Sequence, residues 1–182
     1  MLNIVLLISL LAGAFTATPR HRGIINQKAP TWGVTEWYQL PQGKKSLDVT
    51  DFKGKVIYLF CFQSWCPGCH KYGFPTLKQV IGAFRDDPDV AIVTVQTTFE
   101  GYDYNSFSKA RKTIEKYELK TPVGQSGTRG RPSILMRNYR TGGTPWIVII
   151  DKKGVVRYND FHIYPQMAIQ LIQKLKKVPA DS

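Results

Sequence analysis

The 182-residue chain carries 25 Lys and Arg against 13 Asp and Glu, a formal net charge of +12, with 43% of its residues hydrophobic. That length and apolar content fit one domain with a real core, and the charge points to acidic partners, anionic membrane surfaces or nonspecific nucleic-acid contact. Three cysteines exclude a framework in which every thiol is paired within the molecule.

From Ile4 to Leu11 the chain is uncharged and apolar, then turns small at Ala12, Gly13 and Ala14. This h-region with its A-x-A pattern reads as a signal peptide over residues 1–17, cleaved after Ala14 or Ala17, although no Lys or Arg precedes it. The run is too short to span a bilayer, which takes about 20 residues. Ala14 stands where a lipoprotein signal would place its lipid-bearing cysteine. The expectation is a soluble mature protein, periplasmic or secreted, with no stable membrane span after cleavage. No charged residue precedes Arg20, so cleavage leaves the +12 charge intact, and export removes nucleic acid from the expected partners.

Residues 18–28 read as a polar tail and 29–178 as the folded domain. The stretch 29–51 predicts loops and a minor strand pair. Asp51 to Lys55 predicts a turn, and Val56 to Phe62 a strand buried on both faces, because its run of β-branched and aromatic residues is continuous rather than alternating. Leu77, Val80, Ile81 and Phe84 recur at helical spacing within 76–85, and Asp86, Asp87 and Pro88 end that helix. Val90 to Thr97 predicts a second buried strand, and Phe107, Ala110, Ile114 and Tyr117 mark a helix within 105–118. Residues 121–130 read as a Gly-, Thr- and Pro-rich loop, 132–139 as a short helix, 146–150 as a third strong strand, 155–158 as an antiparallel return, and 167–176 as a closing helix. The alternation is that of an α/β fold.

Trp65-Cys66-Pro67-Gly68-Cys69 follows a buried strand and precedes a helical pattern, which places Cys66 at a helix N-terminus. Unpaired N–H groups and the helix dipole there stabilise a thiolate, lowering a thiol pKa of about 8.5. Cys66 is then the nucleophile toward a disulfide, and Cys69, one turn on, resolves the mixed disulfide. A structural disulfide or half a zinc site is the bland alternative, but no second Cys pair exists. Cys66-Pro67-Gly68-Cys69-His70 also matches C-x-x-C-H, the c-type haem attachment pattern, against which stands the preceding long buried strand.

From about Ala29 to Lys176 the chain resembles the thioredoxin superfamily, in its AhpC/TSA-like redoxin branch with the exported TlpA-like thiol-disulfide oxidoreductases and the peroxiredoxins. The resemblance rests on Ala29-Pro30, Asp51-Phe52-Lys53-Gly54-Lys55-Val56, Trp65 to Cys69, Phe74-Pro75, Gly143-Thr144-Pro145 and Ile150 to Gly154, in that order. It implies a thioredoxin-like three-layer sandwich around a central mixed sheet, and a cis peptide bond at Thr144-Pro145 in a loop facing the disulfide, where an extended substrate segment pairs. Trp65, Pro67, Gly68, Thr144 and Pro145 then support the redox pair or contact substrate, with no cofactor and no metal. The implied function is thiol-disulfide oxidoreduction on protein thiols or disulfides, together with an unidentified redox partner.

Departures from the pattern carry information. Phe60 occupies the position six before Cys66, where thioredoxins usually place an acidic proton-transfer residue, so His70, Lys71 or water must assist Cys69. The stretch from Cys69 to Pro75 is one residue longer than usual and predicts a helix bulge near Gly73. Cys61, inside an apolar strand, reads as packing. Arg129, Arg131, Arg137 and Arg140 read as a solvated face or as a basic rim that steers an acidic partner. Two further alternatives stay open: a thiol peroxidase, although the P-x-x-x-[TS]-x-x-C pattern is absent around Cys66, and a metal- or haem-handling module using Cys66, Cys69 and His70, with His162 as a lone distant candidate.

Overall fold

The computed structural model describes residues 23–180; the expected signal peptide and residues 18–22 lie outside the described residues. In chain order the elements are β1 (Glu36–Tyr38), a 3-10 turn (Val49–Phe52), β2 (Val56–Phe62), a π turn (Cys69–Gly73) running into α1 (Phe74–Phe84), β3 (Val90–Thr97), α2 (Phe107–Lys116), β4 (Val123–Ser126), α3 (Ile134–Tyr139), β5 (Trp146–Ile150), β6 (Val156–Phe161) and α4 (Pro165–Lys176).

The strands form one mixed sheet in the order β1-β4-β3-β2-β5-β6. β2 runs parallel to β3 and antiparallel to β5, so Phe60 lies between Thr94 and Ile147. Every residue of β2 is buried, and its side chains divide by alternation. Val56, Tyr58, Phe60 and Phe62 join the core under α1, α2 and α4, whereas Ile57, Leu59 and Cys61 join Leu135 and Tyr139 of α3 with Trp32 and Trp146 on the other face. Both faces are therefore covered, which is why the strand sequence is apolar throughout, and the expected three layers are present.

The structure corrects two expectations. Residues 121–130 contain β4, whose four residues are all buried and which pairs with β3 in parallel and β1 antiparallel. Only Val123 among them is a strong strand former. Gly124 is required there, because a Cβ would lie 2.6 Å from Val34 Cγ1 and 3.1 Å from the Trp37 ring. The strand in 29–51 thus finds a distant partner instead of the local one expected. The segment from Gly23 to Lys28 also does not hang free as a tail: Asn26 N–H donates to Val156, Val156 N–H donates to Gln27, and Ile24 is buried.

Candidate active site

β2 ends at Phe62, in the middle of the sheet, and helical turns start at Pro67. Pro suits a first helical position, having no N–H to leave unpaired. Cys66 precedes it as the cap, and its Sγ accepts the Cys69 N–H at 3.1 Å, as a capping oxygen would. The extra residue noted after Cys69 is absorbed by the π turn Cys69–Gly73, which lets α1 continue in register.

The two thiols differ in kind. Cys66 retains 8% exposure, whereas Cys69 is fully buried. The Cys66 thiol is pulled down to about 6, chiefly by the Cys69 thiol donating to it and further by Thr144 and the N–H groups of Cys69 and Gly68, against an opposing effect of burial. Burial, and then that same hydrogen bond, pushes Cys69 upward. The arrangement yields one accessible thiolate and one protonated, hidden thiol. Cys61 is buried and pushed upward by burial, and it lies in the opposite core layer.

Thr144-Pro145 is cis and faces the pair, with the Thr144 carbonyl 3.6 Å from Cys66 Sγ. Gly68 permits this approach: a Cβ there would stand 3.3 Å from Pro145 Cδ. Trp65 is 48% exposed, its indole N–H donating to Gln63 Oε1. Phe60 fills the space behind the pair with its ring against Phe62 and Phe74.

His70 is fixed by both ring nitrogens. Nε2 lies 2.7 Å from the Ser64 carbonyl, which can only accept, so Nε2 donates there, and Nδ1 is hydrogen-bonded to the Tyr117 hydroxyl at 2.8 Å. Neither nitrogen is left for a ligand. Among the described residues no group of three or more His, Cys, Asp and Glu is arranged to hold a metal. Lys71 is exposed, and His162 packs between Tyr72 and Tyr164 while its backbone N–H donates to the Pro145 carbonyl.

Arg129 donates through Nη2 to both Asp103 carboxylate oxygens at 3.0 Å and lies over Tyr102, and Arg131 lines a groove beside Phe99, whereas the Arg140 carbonyl accepts from Gly23 at the end of α3.

What the sequence reading missed is a buried amide network under the redox loop. Gln96 Oε1 accepts from Ser64 N–H and O–H, and Gln96 Nε2 donates to Asn105 O, Ser106 O and Gln125 Oε1. Asn105 Oδ1 accepts the Trp65 N–H, and Gln125 Nε2 donates to Thr98 Oγ1 and Gly127 O. Its trace in the sequence is Gln96 near the end of a mainly apolar strand.

The family model described as AhpC/TSA matches residues 25–159. The chain is 27% identical over 133 residues to the thiol-disulfide oxidoreductase ResA of Bacillus cereus, covering 72% of this chain and 66% of that protein, just under two thirds of its length. Among solved structures it is similar to a thioredoxin-like superfamily protein, with 30% identity, TM-score 0.75, and coverage of 83% of this chain and 97% of the other. It is likewise similar to a thiol-disulfide isomerase from Corynebacterium glutamicum, with 28% identity, TM-score 0.71, and coverage of 82% and 97%.

Proposed function

The chain belongs to the AhpC/TSA family, and from that premise we propose that it is a thiol-disulfide oxidoreductase acting on exported proteins through Cys66 and Cys69. The observation that carries the reading is the Cys66 sulfur capping the helix beside the Thr144-Pro145 loop, with its thiol pulled down to about 6. At neutral pH this sulfur is a thiolate while Cys69 keeps its proton.

In the reducing direction the Cys66 thiolate attacks one sulfur of a substrate disulfide, forming a mixed disulfide and releasing one substrate thiolate. Cys69 then gives its proton to water or to that thiolate and attacks Cys66, which forms the Cys66–Cys69 disulfide and releases the second substrate sulfur as a thiolate that takes a proton from water. Two electrons pass from the protein dithiol to the substrate. Phe60 replaces the carboxylate that would otherwise take the Cys69 proton. His70, held by Ser64 and Tyr117, acts by fixing the loop. Trp65, Pro67 and Thr144 border the reacting sulfur, and Gly68 leaves room for Pro145 beside it. The apolar leader at Ile4–Leu11 supports export, and no helix among the described residues is long and apolar enough to cross a membrane.

The test is equilibration of the mature protein across defined thiol–disulfide buffers, followed by Trp fluorescence, with Cys66→Ser as control. A two-electron transition absent from the variant is the expected result; no transition overturns the reading. A potential near roughly −270 mV marks a reductant, and one near roughly −120 mV an oxidant.

A further inference from the structure

The surroundings of Cys66 are aromatic rather than cationic. Trp65, Phe99 and Phe161 line one groove together with Cys66, Thr144 and Glu100. These three rings remain 48%, 39% and 54% exposed, although large apolar side chains are ordinarily drawn into a core. The groove holds about 240 Å³, below the roughly 300 Å³ at which small-molecule pockets begin, so it fits a side chain rather than a cofactor. Phe99 also lines a second groove of about 470 Å³ that continues past Tyr102, Pro132 and Met136. A mainly apolar path, with Arg131 on its far stretch, thus leads from the reacting sulfur across Phe99 and onward.

We infer that this path seats an extended polypeptide whose reacting cysteine adjoins a large apolar residue, and that the ring of that residue enters the groove between Phe99 and Phe161. The inference rests on Cys66 being the attacking sulfur. The two grooves share Phe99, so an occupant that reaches both runs on past the reacting cysteine, as an extended segment does. A charged neighbour is disfavoured, because the three rings offer a carboxylate no partner for the water it would lose. The substrate class is therefore a flexible or unfolded exported segment with Phe, Leu or a similar residue beside its cysteine.

The test uses symmetric disulfide-linked dimers of short peptides in which the residues flanking cysteine are Phe, Leu, Ala or Asp, with oxidised glutathione as the small disulfide. Symmetry makes attack on either sulfur equivalent, and each turnover converts one peptide disulfide into two thiols as Cys66 and Cys69 become a disulfide. The reduced mature protein is expected to react roughly tenfold faster with the Phe dimer than with the Ala dimer, and slowest with the Asp dimer. Phe161→Ala and Phe99→Ala are expected to bring the Phe-to-Ala ratio to about one. Equal rates across the peptides in the wild type, with glutathione disulfide still consumed, overturn the groove assignment and leave the redox reading standing. No reaction with any disulfide overturns both. A dimer of the protein that dissociates in Phe161→Ala assigns the rings to self-association and likewise overturns the inference.

Discussion

His70 and Tyr117 share a 2.8 Å hydrogen bond that ties the first turn after Cys69 to the residue that caps α2. The other ring nitrogen holds the Ser64 carbonyl, so a single imidazole joins three segments around the redox loop. His70→Ala removes both bonds and is expected to cost about 1–2 kcal/mol, whereas Tyr117→Phe, losing one, costs about 1 kcal/mol. Urea unfolding of both single variants and the double variant measures the pair. A coupling of about 1 kcal/mol is expected, and strictly additive losses would show that the two side chains act separately.

The Gln96 amide makes a stronger demand, because both of its ends are used in a fully buried place. Gln96→Leu keeps the volume and takes from the Ser64 N–H and O–H and from Gln125 Oε1 the partner that Gln96 supplied, at a cost of about 3 kcal/mol. Gln96→Glu is expected to be worse at neutral pH, since a carboxylate oxygen would then face the acceptors Asn105 O, Ser106 O and Gln125 Oε1. Protonation restores the donor. That variant should therefore be closer to wild type at pH about 4 than at pH about 7, and a loss independent of pH would contradict the assigned amide orientation.

Reactivity should follow the Cys66 thiol. Alkylation of the reduced protein by iodoacetamide is expected to rise with pH around a midpoint near 6. The largest contribution to that value is the hydrogen bond from the Cys69 thiol, so Cys69→Ala should move the midpoint toward the ordinary value of about 8.5. A midpoint unchanged by Cys69→Ala would transfer the effect to the backbone N–H groups.

Stability of the reduced protein should follow the same groups with a defined sign. Between about 6 and about 8.5 the unfolded chain holds a proton on Cys66 that the folded chain has lost, so stability rises with pH across that window and the gain vanishes as pH falls through 6. Above about 8.5 the unfolded cysteines ionise, while burial keeps Cys61 and Cys69 protonated in the fold, and stability declines. Chemical denaturation from pH 5 to 10 measures both limbs, which Cys66→Ser should abolish on the acid side only.

The parts of this fold that rest on continuous apolar runs were legible in the sequence. Val90 to Thr97 and Trp146 to Ile150 are strands over those very residues, and α1 and α2 follow the 3.6 spacing of their buried faces. The extra residue before Pro75 announced the π turn. β4 was not legible, because Gly124, Gln125 and Ser126 are chosen by the Trp37 ring and the amide network and not by strand propensity. That Cys66 and Cys69 would stand one turn apart at the start of a helix was legible from their spacing and from the buried strand before them. Phe99 and Phe161 were not, since they come from the ends of different strands and meet Cys66 only in three dimensions.

Gly73 joins the missing carboxylate to the geometry of the loop. Its backbone is ordinary, at φ −64°, so what it supplies is space: a Cβ would stand 2.7 and 2.8 Å from Phe60 Cζ and Cε2 and 3.1 Å from Pro145 Cβ. Contacts that short force a neighbour to move, and the Phe60 ring is held between Phe62 and Phe74. Gly73→Ala is therefore expected to destabilise the protein by about 2 kcal/mol. The same overpacking pushes on Pro145, so the rate of attack on glutathione disulfide should fall as well. Phe60→Leu removes the two crowded ring atoms and costs about 1 kcal/mol on its own through the smaller side chain. Combined, the two changes should be less harmful than their sum by at least about 1 kcal/mol, because the methyl group then enters the space the ring has left. Thermal or urea unfolding of the four proteins decides the matter, and additive losses would mean that the added methyl group is accommodated at the expense of Pro145 rather than Phe60.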